Sequence, residues 1–164
     1  MKWLAGFVAG AIVGALVMQT VLAQDDAVPP RPERAVNHVG IVVDDYAAAH
    51  SFYTEMLGLK EAYTIERNGA TFLTYLQLNR ETFIELIPAT GDGPRGVTHI
   101  GVEVRDIDAL VAHLRERGME VADPGVTPGN ARFVRVRDAS GIELEIMEYG
   151  PESQQYRAMA AWQP

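Results

Sequence analysis

The chain contains no cysteine. That excludes disulfides, thiolate metal sites and cysteine nucleophiles, and it leaves the compartment open. Positive charge is also scarce, with 14 Lys and Arg against 22 Asp and Glu and a formal net charge of -8. A phosphate backbone is gripped by clustered Lys and Arg, so nucleic acid is not an expected partner. There is no Gly-rich phosphate loop and no serine-centred nucleophile motif. What remains is an ordinary globular composition, 48% hydrophobic and 22% charged over 164 residues, enough for one domain with a real core.

The first residues, "MKWLAGFVAGAIVGALVMQTVLAQ", stand apart. Lys2 precedes an apolar stretch, and Val21-Leu22-Ala23 places small residues where a signal peptidase reads them. Residues 1–23 are read as a secretory signal cut after Ala23, which predicts a periplasmic or secreted protein. The alternative is an uncut anchor with an exported domain. Trp3 to Ala23 is 21 residues, long enough to span a bilayer, and Gly6, Gly10 and Gly14 fall at helix-packing spacing. Membrane contact is expected only in that second case. Residues 24–35, "QDDAVPPRPERA", read as a polar, Pro-rich linker.

The segment from 36 to 150 is read as the folded domain, and it repeats itself. "VNHVGIVV" predicts a strand, and "DDYAAAHSFYTEMLG" predicts a helix capped by Asp44 or Asp45 and stopped by Gly58. Three strands follow, "LKEAYTIER", "TFLTYLQLN" and "TFIELIPA", with "RNGA" and "NRE" as turns. After the linker "TGDGPRG" the order recurs: strand "VTHIGVEV", helix "RDIDALVAHLRERG", short strand "MEVAD", loop "PGVTPGN", then strands "ARFVRVRD" and "GIELEIMEY". Two similar modules are implied, their sheets combining around a shared interior. The tail, residues 151–164, carries Tyr156, Met159 and Trp162 at helical spacing, a face for packing on the domain or on a partner.

Each module opens with a histidine and closes with a glutamate: His38 and Glu85, then His99 and Glu145. Strand side chains alternate faces. Val39, Ile41 and Val43 share one face, leaving His38 and Gly40 on the other; Ile84 and Leu86 oppose Glu85; Leu144 and Ile146 oppose Glu145. A glycine two residues after each histidine is expected to open room for a ligand. A carboxylate facing a sheet interior is costly unless it is paired or bound to a metal. Imidazole nitrogen and carboxylate oxygen suit a divalent cation: Zn, Ni, Mn, Fe or Co. Two His and two Glu would leave two positions of a six-coordinate ion for water or substrate oxygens, so that the ion can polarise a carbonyl. Glu145 and Glu85 are then candidate catalytic groups, able to move a proton on the neighbouring carbon.

Taken singly, each of these residues is more simply a hydrogen-bonded core His or a solvated Glu. Their matched placement in a repeat favours the ligand reading. Glu143 shares the face of Glu145 and competes with it. Glu103 is read as a rim residue, and His50 and His113 as structural or solvent-facing. Arg132, Arg135 and Arg137 are read as a solvated strand and turn face rather than an anion site.

The stretches "NHVGIVVDDYAAAHSFYTEMLGLK", "TFIELIPA", "THIGVEVRDIDALVAHLRERG" and "DASGIELEIMEYG" resemble the vicinal oxygen chelate superfamily, and within it the glyoxalase branch. The resemblance covers nearly all of residues 36–150. It implies an α+β fold in which two βαβββ modules form a half-open mixed β-barrel around a divalent metal, with ligands at His38, Glu85, His99 and Glu145. It further implies a metal-dependent lyase or isomerase acting on a small carbonyl or hydroxy-acid substrate. Two relatives give alternatives: an extradiol ring-cleaving dioxygenase, against which the fourth donor Glu85 argues, and a metal-free, drug-sequestering binding protein. Small members of the family usually dimerise, so a homodimer is implied; whether its site is shared between chains is left open. An exported protein departs from the cytosolic thiol-conjugate substrates of that branch.

Overall fold

The computed structural model describes residues 34–163. The signal or anchor at 1–23 and nearly all of the linker lie outside the described residues.

The first module comprises β1 (Arg34–Val43), α1 (Tyr46–Ser51), β2 (Lys60–Arg67), β3 (Ala70–Gln77) and β4 (Phe83–Pro88). The second comprises β5 (Gly96–Val104), α2 (Ile107–Glu116), β6 (Gly125–Val126), β7 (Arg132–Arg137) and β8 (Glu143–Glu148). A last helix, α3 (Gln154–Ala160), follows. All eight strands form one mixed sheet in the order β2-β3-β4-β1-β5-β8-β7-β6. Within each module the first strand runs parallel to the last, β1 with β4 and β5 with β8, and the two first strands meet antiparallel at the centre. The sheet is a half-barrel, the α+β arrangement that the repeat implies.

Local chemistry explains most boundaries. Asp45 and Asp106 cap the two module helices, accepting from the backbone N–H of Ala48 at 2.9 Å and of Ala109 at 2.8 Å. The predicted first helix is divided: after Ser51 it widens into a π-helical turn over Phe52–Met56, where Leu57 N–H donates to Phe52 O. Asn68 and Gly69 both take positive φ, which the tight turn between β2 and β3 requires.

One strand lies elsewhere than expected. Residues 119–123 form none; the two-residue β6 instead lies within the predicted loop and pairs with β7. The Arg115 guanidinium donates to Val121 O and to Asp123, tying this stretch to α2 instead of to a ladder. Pro124 and Pro128 flank β6, and neither can supply the N–H that would lengthen it.

The two faces of the sheet bury different things. On the convex face Ile107 and Val111 of α2 pack on Val104, Val134 and Ile146. On the concave face Tyr75, Phe83, Met147 and Tyr149 form a cluster with Met159, which α3 inserts from the chain's end. Met159 is fully buried there. Among the described residues no helix is long and apolar enough to cross a membrane.

Met159→Ala removes a buried side chain from this cluster and should cost about 2–5 kcal/mol of stability. Urea denaturation followed by circular dichroism measures it. A loss below about 1 kcal/mol would mean that α3 is not part of the cooperative fold.

Candidate functional site

The central strand pair builds the site. His38 faces Gly101 across β1 and β5, and His99 faces Gly40. On the outer side of each glycine lies a glutamate, Glu85 beside Gly40 and Glu145 beside Gly101. The two glycines are therefore not openings for a ligand, as the sequence had implied. Each is filled by the histidine of the other module. A methyl group on Gly40 would lie 1.9 Å from His99 Cε1, and one on Gly101 would lie 2.0 Å from His38 Cε1. Nothing larger than hydrogen fits, and both rings reach the midline only because of it.

The structure brings His38, Glu85, His99 and Glu145 together. One donor atom from each lies within 4.8 Å of the other three, and all four residues are buried. The two Nε2 atoms are 3.2 Å apart. Glu145 Oε2 is 3.3 Å from His38 Nε2, and Glu85 Oε2 is 2.7 Å from His99 Nε2. That short contact does not count as a hydrogen bond. Glu85 Oε2 is consequently buried without a hydrogen-bond partner.

The far sides of the rings are held as well. His99 Nδ1 lies 3.2 Å from Thr98 Oγ1, which itself donates to Gly40 O. His38 Nδ1 faces Asn37 Oδ1 at 3.4 Å, and the same oxygen accepts from the Tyr149 hydroxyl at 2.7 Å. Placing the ring protons on Nδ1 leaves both Nε2 lone pairs directed at the two carboxylates. Four electron-rich atoms then converge, with the Arg135 guanidinium reaching only the outer oxygen of Glu145, and a divalent cation answers that arrangement.

Electrostatics gives the same sign. Burial opposes the charge on His99, but contact with Glu85 and the charges of Glu85 and Glu145 outweigh it and raise its pKa. Burial likewise opposes ionisation of Glu145, yet His38, His99 and Arg135 together hold its pKa below the usual carboxylate value. Without a cation, His99 holds its proton more tightly than a free imidazole does.

The neighbours separate as follows. Glu143 is drawn to Arg137 and lies 3.4 Å from Arg135, outside the four-residue cluster. Glu103 is no rim residue: it is buried, 6% exposed, because it lies between Ala35 and Met147 inside the sheet. His50 pairs with Glu61 at 2.8 Å, and His113 is exposed. Arg132 is held by Asp108 and Glu148 on the surface. Arg135 differs from its expected role, since its guanidinium donates to Glu145 Oε1 at 3.0 Å and borders the cavity. Its spacing from Arg137 along β7 was the only hint in the sequence.

The cavity above the cluster has a volume of about 330 Å³ and opens onto Glu85, His99 and Glu145. Ile65, Phe72, Ile87 and Phe133 give it apolar walls, with Arg67 and Arg135 also lining it. Tyr63 and Tyr75 stack on one side, ring centres 4.9 Å apart, and Tyr75 meets the His38 ring edge-on. Burial, reinforced by neighbouring tyrosines and carboxylates, keeps both phenols protonated well past their ordinary range. The volume suits a small molecule.

Gly101→Ala and Gly40→Ala each drive a methyl into an imidazole. Each should cost about 1–3 kcal/mol and displace one ring from the cluster. Thermal denaturation measures the first effect, and the histidine ring resonances in an NMR spectrum report the second. A variant with wild-type stability and unshifted ring signals would contradict the packing described.

Comparison with known proteins agrees with this architecture. The chain is 32% identical over 126 residues to the uncharacterized protein YaeR of Escherichia coli strain K12, covering 70% of this chain and 96% of that one. It is 27% identical over 133 residues to the lactoylglutathione lyase GLX1 of Arabidopsis thaliana, covering 75% of this chain but only 47% of that protein, so it spans about half of the plant enzyme's length. Among solved structures, the methylmalonyl-CoA epimerase of Mycobacterium tuberculosis shares the fold at a TM-score of 0.62 and 22% identity, over 71% of this chain and 89% of that one. A family model matches residues 35–146, and the chain belongs to the Glyoxalase/Bleomycin resistance protein/Dioxygenase superfamily.

Proposed function

We propose that this protein is an exported, divalent-metal-dependent lyase or isomerase of the glyoxalase type, acting on a small carbonyl or hydroxy-acid compound. The observation that carries the reading is the convergence of four buried donors, with Glu85 Oε2 lacking a hydrogen-bond partner. His38, Glu85, His99 and Glu145 would hold the cation. When bound, it supplies Lewis acidity, drawing electrons from a carbonyl oxygen so that the adjacent C–H becomes acidic.

The chain's own groups account for the rest. The apolar walls exclude water and orient the carbon skeleton over the cluster. A carboxylate of Glu145 or Glu85 takes the proton from the carbon beside the carbonyl and returns it to the same or the neighbouring carbon, with no net oxidation. The two are not equivalent. Arg135 keeps hold of one Glu145 oxygen while the other faces the cluster, so that Glu145 can turn without being left unpaired. Four protein donors leave fewer open positions than a ring-cleaving oxygenase needs for catechol and oxygen together, which favours the proton-transfer chemistry.

Untagged protein should carry about one divalent ion per chain by inductively coupled plasma mass spectrometry. His38→Ala should lose it, and Glu145→Gln should abolish solvent deuterium exchange at the carbon beside a bound ketone's carbonyl. Tight small-molecule binding by metal-free protein without exchange would favour a binding protein instead. Export rests on the sequence of residues 1–23, and N-terminal sequencing of protein from its native host tests it: a start at Gln24 is expected, and an intact Met1 on soluble cytoplasmic protein would sink it.

A further inference from the structure

Two buried polar atoms in the cavity have no hydrogen-bond partner among the described protein atoms and no part in the metal cluster. One is the Tyr63 hydroxyl, the other Gln155 Oε1. Gln155 lies on α3, is 2% exposed, and lines the cavity. An unsatisfied buried polar group costs about 1–3 kcal/mol, and here two face the same space. Both approach one point above Gly129, where a methyl group would lie 3.5 Å from Gln155 Oε1 and 3.8 Å from the Tyr63 oxygen, with Thr127 Oγ1, which already accepts from Ala131 N–H, at 3.7 Å.

Neither group is there by loose fit. Stacking on Tyr75 fixes Tyr63. Gln155 is held by the start of α3, where Ser153 caps the helix and Gln154 N–H donates to Gly129 O at 2.8 Å. The family match ends at residue 146, so Gln155 comes from a segment beyond it. From Tyr63 the Tyr75 ring leads directly to His38, which places this polar pair one aromatic ring from the cluster.

We infer that Tyr63 and Gln155 form a subsite for a hydroxyl group of the substrate, making the preferred ligand a hydroxylated aldehyde or ketone with an alcohol beyond its metal-binding carbonyl end. This deepens the proposed function and rests on it for the carbonyl end. A hydroxyl both donates and accepts, so it satisfies a tyrosine and either orientation of the glutamine amide. A second carbonyl could not donate to Gln155 Oε1 in the orientation seen here, and a methyl group would satisfy neither residue in any orientation. Sites built to hydrogen-bond an alcohol discriminate strongly against analogues lacking it.

The test compares two four-carbon α-hydroxyketones on metal-loaded, full-length protein by calorimetry: erythrulose, which carries further hydroxyls, and 1-hydroxybutan-2-one, which does not. Erythrulose should bind about tenfold tighter or more. Tyr63→Phe and Gln155→Leu should each reduce that preference to about twofold or less while metal content stays at the wild-type level. Equal binding of the two ketones by wild type, no binding of either, or a preference that survives both substitutions would overturn the subsite. A preference for erythrulose that persists, and is sensitive to both substitutions, in protein that takes up no metal would support the subsite and sink the metal chemistry alone.

Discussion

Two carboxylates and two imidazoles within 4.8 Å of one another, all buried, set the terms for the rest of this molecule. At that separation two ionised carboxylates repel by at least about 3 kcal/mol even at an effective dielectric of about 20. Desolvation adds to that. The structure offers partial relief through Arg135 on Glu145 and through the raised proton affinity of His99. Arg135 does not reach Glu85, and the 2.7 Å contact with His99 still leaves Glu85 Oε2 without a hydrogen bond. A compact divalent charge at the centre relieves all four groups together. A fold that kept them for stability alone would do better with aliphatic side chains.

The repeat explains how the arrangement arises from so few residues. Each module needs one histidine, one glycine two positions on, and one glutamate on the parallel partner strand. Antiparallel pairing of β1 with β5 then sets each histidine against the other module's glycine. The rings cross the midline, and the two glutamates flank them from outside. One module alone would present a histidine and a glutamate on neighbouring strands with nothing opposite, so the site is a property of the pairing.

Much of this was legible in the sequence because strand alternation is strict. Once "TFIELI" and "GIELEI" are strands, Glu85 and Glu145 must oppose their aliphatic neighbours. The reading failed where tertiary pairing decides. That Gly40 and Gly101 make room for histidine rings depends on the register between β1 and β5, and no local pattern encodes it. The strand expected at 119–123 was lost to the Arg115 guanidinium, a side chain that competes for backbone carbonyls. Glu103 looked like a rim residue because alternation gives a face but not a depth. Gln155 carried no signal at all; a glutamine in a short tail helix becomes informative only when its amide is seen buried against the cavity.

The symmetry of the cluster and the asymmetry of the cavity divide the work. A cation has no handedness to recognise, and the twofold repeat supplies matched donors to it. A substrate is not symmetric, and its recognition has to come from where the modules differ. They differ most at β2 and β6. β2 runs eight residues and carries Tyr63 and Ile65 into the cavity, whereas its counterpart is cut to two residues by prolines on either side. The loop left in place of a long β6 bends back at Gly129, and α3 fastens onto it through Gln154. The second module thus exchanges a strand for a loop and a helix. That exchange places an amide across from a phenol, where the repeat by itself would have set two like strands face to face.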